Sequence, residues 1–312
     1  MANQIYIVDN LVNSIKLRGL PPSSQSTFTT DGYIQVLSEE MQTNIVPLLD
    51  SVSEEYFVTN FDINFDPTIS EYDIPPRAVG GKLRDVVFVD SNGIEINIPR
   101  LRPEDIKTRS QFIRFQPAPW GFYLRDSKCV LFLGQNLNSQ PAYPILRLKY
   151  LRRPNILKTA SLCGQIINIA GNVVTLSNSD SSWTTSTTFD IIKGTPNFTS
   201  KGDDLTINSI AGFVLTFDDL PEGVEIGDWV AIANYSPIPQ IPPEGHLLLA
   251  QFATAKILEA MGDFAGMSAA LGKAEEIKTQ FMGIINPRVE GSVIKLVSRS
   301  GIGDWMENNG WY

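Results

Sequence analysis

The side chains on which most acid–base and metal chemistry rests are scarce in this chain of 312 residues. One histidine, His246, follows Pro243-Glu-Gly and has no second ligand or nucleophile patterned around it. It reads as a surface residue at the start of a helix rather than as a catalyst. No serine nucleophile elbow with histidine and aspartate partners is present. Gly80-Gly81-Lys82-Leu83 lacks the spaced first glycine and the Ser/Thr of a phosphate-binding loop. Gly301-Ile-Gly303 lacks the third glycine and the following helix of a dinucleotide fingerprint. Asp203-Asp204, Asp218-Asp219 and Asp228 could gather a calcium ion, although carboxylates between short strands ordinarily serve as turn residues. Cys129 and Cys163 are too few for a zinc site and sit in apolar, strand-like runs, where they read as buried free thiols. The expectation is a protein without catalytic residues, metal or cofactor.

Charge narrows the partners. With 25 Lys+Arg against 34 Asp+Glu, the net charge is -9, the wrong sign for a protein whose main task is to grip phosphates. The densest basic run is Arg147, Lys149, Arg152 and Arg153, with Lys158 nearby. It reads either as a solvated outer strand face or as a surface that meets DNA or an acidic partner. No signal peptide or membrane-spanning apolar run is expected, which points to use in a reducing cytoplasm.

The elements that would carry these residues alternate between helical and strand periods. Residues 9–19 read as a short helix ended by Gly19. From Tyr33, the residues Ile34, Leu37, Met41, Ile45, Leu48, Val52 and Tyr56 form one apolar stripe of a long helix. Thr29 or Thr30 is its N-cap, and Pro47 bends it near the middle. Asn92-Gly93 between Val86-Val-Phe-Val and Ile94-Glu-Ile-Asn-Ile predicts a two-residue hairpin with Ile94, Ile96 and Ile98 inward. A second hairpin turns at Asp126-Ser127. A strand from Ile145 to Leu151 puts Leu146, Leu148 and Tyr150 on one face and Arg147 and Lys149 on the other. Residues 162–234 hold short β-branched strands separated by Gly, Asn, Ser and Thr, which reads as an inserted β module. After a proline-rich linker, Leu247 to Met261 and Phe264 to Ile285 form a helical hairpin with Gly262 and Asp263 at its turn. The last segment is strand-like from Val293, then glycine-rich with Trp305, Trp311 and Tyr312, a composition suited to an arm that docks on a neighbour or else to a tail that packs back onto its own domain.

Several of these runs resemble the head-to-tail connecting (adaptor) proteins of tailed bacteriophages. The resemblance lies in Ile45-Val-Pro-Leu-Leu with Glu54-Glu-Tyr-Phe-Val, and in Tyr72-Asp-Ile-Pro-Pro-Arg-Ala-Val-Gly-Gly-Lys-Leu-Arg-Asp-Val. It continues in Val12-Asn-Ser-Ile-Lys-Leu-Arg-Gly-Leu-Pro, Gly121-Phe-Tyr-Leu, Leu146-Arg-Leu-Lys-Tyr-Leu-Arg-Arg-Pro, Leu248-Leu-Ala-Gln, Ala255-Lys-Ile-Leu-Glu-Ala-Met-Gly-Asp and Ile285-Asn-Pro-Arg-Val-Glu-Gly-Ser. These are fold-level runs, spread over roughly residues 10–295, and the module at 162–234 goes beyond the smallest adaptors.

The resemblance implies a structural virion protein, assembled in the host cytoplasm, that forms a ring of typically twelve copies. The ring would sit between the portal protein and a tail tube, nozzle or tail-hub protein, with double-stranded DNA passing through unheld and no membrane involved. The expected fold is α+β: a helical bundle, an antiparallel β-sheet domain, and an inserted small barrel or sandwich. The boundaries are 1–70 for N-terminal helices, 71–160 for the β domain, 161–236 for the insert, 237–286 for the C-terminal hairpin and 287–312 for a docking arm. Candidate interface residues are Arg147, Lys149, Arg152, Arg153, Ile294, Leu296, Arg299, Trp305, Trp311 and Tyr312. The alternative is a carbohydrate- or receptor-binding module of a phage tail, with Trp183, Phe198 and Phe213 as an exposed platform.

Overall fold

A computed structural model describes residues 7–20, 28–52, 56–102, 121–132, 143–194 and 199–285. The protein is mixed α+β, with helices from both ends of the chain packed together and several antiparallel sheets between them.

Helix α1 (Val8–Gly19) buries Val8, Leu11, Val12 and Ile15. It closes one residue later than expected, on Leu20, which takes a left-handed conformation and donates its N–H to the Lys16 carbonyl. Helix α2 (Thr30–Glu40) is capped by Thr29, whose Oγ1 accepts from the Gly32 N–H at 3.2 Å. Beyond α2 the helix must accommodate a proline. Pro47 can give no N–H to the carbonyl four residues back, and its ring clashes there. The chain answers with a π turn over Met41–Ile45, in which Val46 donates to the Met41 carbonyl, before helix α3 (Val46–Val52) resumes. That wider turn adds about one residue to the register. The apolar stripe therefore runs Met41, Ile45, Leu49, all fully buried, and the expected Leu48 and Val52 are only partly covered.

Helix α4 (Pro243–Ala260) is the centre of the helical layer. It packs against α1, α2 and helix α5 (Phe264–Ile285). One apolar cluster joins Val12, Ile15, Leu37, Met41, Leu49, Leu248, Leu249, Ile257 and Phe281. Proline at the first helical position starts α4 four residues before the expected Leu247. His246 is thereby drawn into the buried first turn, 3% exposed, which corrects its reading as a surface residue. The α4–α5 turn holds Gly262 at φ +79°, and the Asp263 Oδ1 accepts from the Gly266 N–H at 2.9 Å.

Strands β1 (Val58–Asn64), β2 (Glu71–Asp73), β3 (Ala78–Val89), β4 (Glu95–Asn97), β5 (Gly121–Arg125), β6 (Lys128–Phe132) and β7 (Ile145–Arg152) form two sheets, ordered β1-β7-β3-β4 and β2-β6-β5. Tyr72, Phe88, Phe122, Leu131, Leu146 and Leu148 fill the space between them. The β3–β4 connection is wider than a two-residue turn: only Gly93 has positive φ, and the Asp90 carboxylate accepts from the Asn92 and Ile94 N–H groups. Ile94 is consequently 60% exposed and Ile98 buried, so the expected three-residue inward set holds only at its far end.

Two short strands, β8 (Ile156–Leu157) and β16 (Tyr235–Ser236), pair in parallel and carry the chain into and out of a seven-stranded sheet. That sheet contains β9 (Gly164–Ala170), β10 (Val173–Leu176), β11 (Phe189–Ile192), β12 (Ser200–Leu205), β13 (Ile207–Ala211), β14 (Val214–Phe217) and β15 (Trp229–Ile232), in the order β12-β11-β15-β9-β10-β14-β13. The two edge strands, β12 and β13, are consecutive in the chain and joined through Thr206 alone. The sheet must therefore curl to bring its edges to one corner, and it encloses Ile166, Leu176, Phe189, Leu215, Phe217 and Val230. Among the described residues it is a single sheet not closed by hydrogen bonds, so in place of the expected barrel or sandwich stands one open sheet. Trp183 lies in this core at 5% exposure, edge-to-face with Phe189, which removes it from the expected exposed platform. Phe213 is exposed, and Phe198 lies outside the described residues.

Candidate functional site

The basic run of β7 divides by strand parity. On the outer face, the Arg147 Nε and Nη2 each donate to Asp62 at 2.7 Å, and its Nη1 donates to Glu95 at 2.7 Å. Lys149 pairs with the other Glu95 oxygen. The hydrogen bonds that Arg147 donates to Asp62 and then to Glu95 raise its pKa, and those that Glu95 accepts from Lys149 and then Arg147 lower that of Glu95. Two cations and two carboxylates thus neutralise one another across β1, β7 and β4, over Val87 and Val89, which are 4% exposed. Arg153 is exposed, and its N–H donates to the Arg77 carbonyl at 2.8 Å.

Arg152 is on the other side. Residues 146, 148, 150 and 152 share the inward parity of β7, and Arg152 is 8% exposed. This corrects its place in an exposed basic patch. Ile294, Leu296, Arg299, Trp305, Trp311 and Tyr312 lie outside the described residues.

The inward parity leads to a buried ion cluster drawn from four distant parts of the chain. Pro75-Pro76 sets a turn, closed by the Ala78 N–H on the Pro75 carbonyl, that delivers Arg77 to the head of β3. Arg77 meets Asp190 end-on, Nη1 to Oδ2 at 2.7 Å and Nη2 to Oδ1 at 2.9 Å. It also donates to Asp203 at 3.1 Å and to Asp204 at 2.6 Å. Arg152 grips Asp203 through Nε and Nη2, at 2.9 and 2.7 Å, and donates to the Asn155 and Gln240 carbonyl oxygens.

Asp190, with no exposed surface, accepts five hydrogen bonds: two from Arg77, and one each from the Asn155 Nδ2, the Asp204 N–H and the Asn234 N–H. A buried carboxylate is tolerable only when its lone pairs are met in this way. Burial works to lower the Arg77 pKa, but the Asp190 hydrogen bonds and charge outweigh it and the net shift is upward. For Asp203, burial works upward, and the charge and hydrogen bonds of Arg152 carry the net shift downward. Both groups are held in their charged forms.

Two cavities flank the cluster. One, of about 210 Å³, is lined by Phe57, Arg152, Pro154, Ser200 and Gln240. The other, of about 290 Å³, is lined by Gln42, Arg77, Arg153, Asn155 and Asp204. Gln240 ties its Oε1 to Arg152 and to the Asn155 N–H, and its buried Nε2 has no partner.

Two of the other acids considered for a cation, Asp228 and Asp218, are engaged separately, and Asp219 is exposed. Asp228 pairs with Lys201 at 2.8 Å and accepts from the Gly194 and Glu225 N–H groups, while Asp218 accepts from Thr206. Among the described residues, no three His, Cys, Asp or Glu side chains gather around a metal-sized space. The cluster's chemistry is cross-linking: it ties β3 and β7 to β11 and β12, and both to the linker at Gln240.

Of its members, sequence reasoning singled out Arg152, for the wrong face, and Asp203 and Asp204 as turn acids. Arg77, Asp190, Asn155 and Gln240 went unread. Two signals were available: the parity of Arg152, and a lone aspartate inside the apolar run Phe189-Asp-Ile-Ile, where an ionised group demands a partner.

Compared with known proteins, the chain matches no family model and no curated sequence.

Proposed function

We propose that the chain is a head-to-tail connector of a tailed bacteriophage, a subunit of a ring between portal and tail through which the genome passes. The observation that carries this reading is where the connector-like runs go. They are separated by more than two hundred positions in sequence, yet the runs in α1, the π turn and α3, and α4 contribute to one helical core through Val12, Ile15, Ile45, Leu49, Leu248 and Ile257. Those in β3 and β7 share the adjoining sheet. In this reading the helices form the bundle of the family and the curled sheet is an addition to it. The paired outer strand fits a conduit too, since neutralised cations offer passing DNA nothing to release counterions against. The carbohydrate-binding alternative keeps Phe213 of its platform and loses Trp183 to the core.

The test is cosedimentation with portal rings encoded by the same genome. A saturable, ring-sized increment that disappears when the chain is cut after Gly291 is the expected result. Binding that fails at all concentrations would remove the proposal.

A further inference from the structure

The seven-stranded sheet is mounted on the rest of the protein rather than merged with it. Its apolar core is its own, built from Ile166, Val174, Phe189, Leu215, Phe217 and Val230. Among the described residues no strand from β9 to β15 is hydrogen-bonded to a strand from β1 to β7. The apolar contact at its base is with its own connections and Ile7: Ile192, Trp229 and Ala231 meet Ala160, Cys163, Tyr235 and Ile238. The β8–β16 pair forms a two-stranded stalk, anchored to the helices by Leu157 in their core and by the Leu157 N–H on the Ser38 Oγ.

Beyond that stalk, the charged contacts between the sheet and the body are, among the described residues, concentrated in one place. Asp190, Asp203 and Asp204 come from β11 and β12, and Arg77 and Arg152 from β3 and β7. Cavities lie on both sides of this contact instead of close packing. An interface with a fully hydrogen-bonded ionic centre and unfilled flanks fixes orientation more than it adds cohesion, because buried ion pairs hold geometry at a desolvation cost that offsets much of their attraction.

We infer that residues 164–232 form a separately folded head, that the Arg77–Asp190–Arg152–Asp203 cluster is the clamp that holds it at one angle on its stalk, and that opening the clamp frees the head to swing without unfolding it. The motion would be taken up where the stalk ends, around residues 158–163 and 233–234. The clamp would act in this way whatever the protein binds. It makes any surface of the head, including the exposed Phe213, a surface whose direction is set from the body.

The experiment is a distance measurement by electron paramagnetic resonance. Spin labels are placed at Ser209→Cys on the head and Thr279→Cys on α5, both exposed positions, while the native Cys129 and Cys163 are buried and escape labelling. The distance distribution is compared between the full chain and two clamp variants, Asp203→Asn and Arg77→Gln. The second lies in the body and changes no residue of the head. Hydrogen exchange in β10 and β14 is followed in the same samples. The clamp account expects a single narrow distance in the parent. In at least one variant the distribution broadens roughly twofold or more, with head amides as protected as before. A narrow distance retained in both variants would overturn it. So would broadening accompanied by lost protection, since the cluster would then belong to the fold of the head.

Discussion

His246 gives the sharpest handle on the helical core, because it is the one histidine in the chain and its signals cannot be confused with another's. It sits in the first turn of α4 at 3% exposure, with its Nε2 3.3 Å from the Ile241 carbonyl. Burial lowers its pKa from 6.5 to about 4, only partly countered by the nearby backbone carbonyls of Ile241 and Pro239. The native imidazole therefore stays neutral across a range where the unfolded chain takes up a proton. The resulting stability is complete above the unfolded pKa near 6.5 and is lost as pH falls towards 4. Linkage between those two values puts the loss at about 2 kcal/mol from pH 7 to pH 5, and about 3 kcal/mol by pH 4. Carboxylates held below their usual range, such as Asp203 and Glu95, titrate beneath most of that window and leave it to the histidine. The assay is urea unfolding at pH 7 and pH 5 for the parent and for His246→Gln, with the imidazole resonance followed by NMR. Expected are a loss of about 2 kcal/mol in the parent, little pH slope in the variant, and no native titration above about pH 5. An imidazole that titrates near 6.5, or a slope that survives in the variant, would refute the reasoning.

The packing leads to further expected outcomes. Asp190→Asn sets a donor against at least two of the five groups that now donate to the carboxylate and leaves Arg77 short of its buried partner; it should cost about 3–5 kcal/mol in urea unfolding followed by tryptophan fluorescence. Asp62→Asn, which breaks the outer Arg147 pair, should cost only ~0.2–1 kcal/mol, and equal losses would count against a special role for the cluster. Cys129 and Cys163, both buried and with thiols pushed up to about 12 by burial, should ignore a thiol reagent at neutral pH until urea is added. Gly194→Ala should destabilise the head by about 1–3 kcal/mol in thermal unfolding, because the new methyl group would collide with the Gly227 carbonyl oxygen.

Local signals were legible in the sequence wherever one element decided them. Gly262 and Asp263 mark the start of α5, Asp126-Ser127 turns the β5–β6 hairpin, and alternation along 145–151 sets which face of β7 is buried. The failures arise where a neighbour intervenes. Pro47 was visible, but the π turn that absorbs it moves the stripe from Leu48 to Leu49, and only packing against α4 decides which residue is buried. Ile94 alternates correctly and still lies exposed, because Asp90 widens the turn that feeds it. His246 looked superficial because α4 begins before the apolar run does. The ion cluster lay furthest from reach. Its members sit at 77, 152, 155, 190, 203, 204 and 240, and no local rule links stretches that far apart.

The proposal that this chain is a connector subunit is tested most directly by imaging. Electron microscopy of the protein mixed with portal rings from the same genome should show a closed ring of copies seated on one face of the portal, coaxial with its channel. Portal rings left bare beside dispersed single subunits, at concentrations well above those used in the cosedimentation, would contradict it.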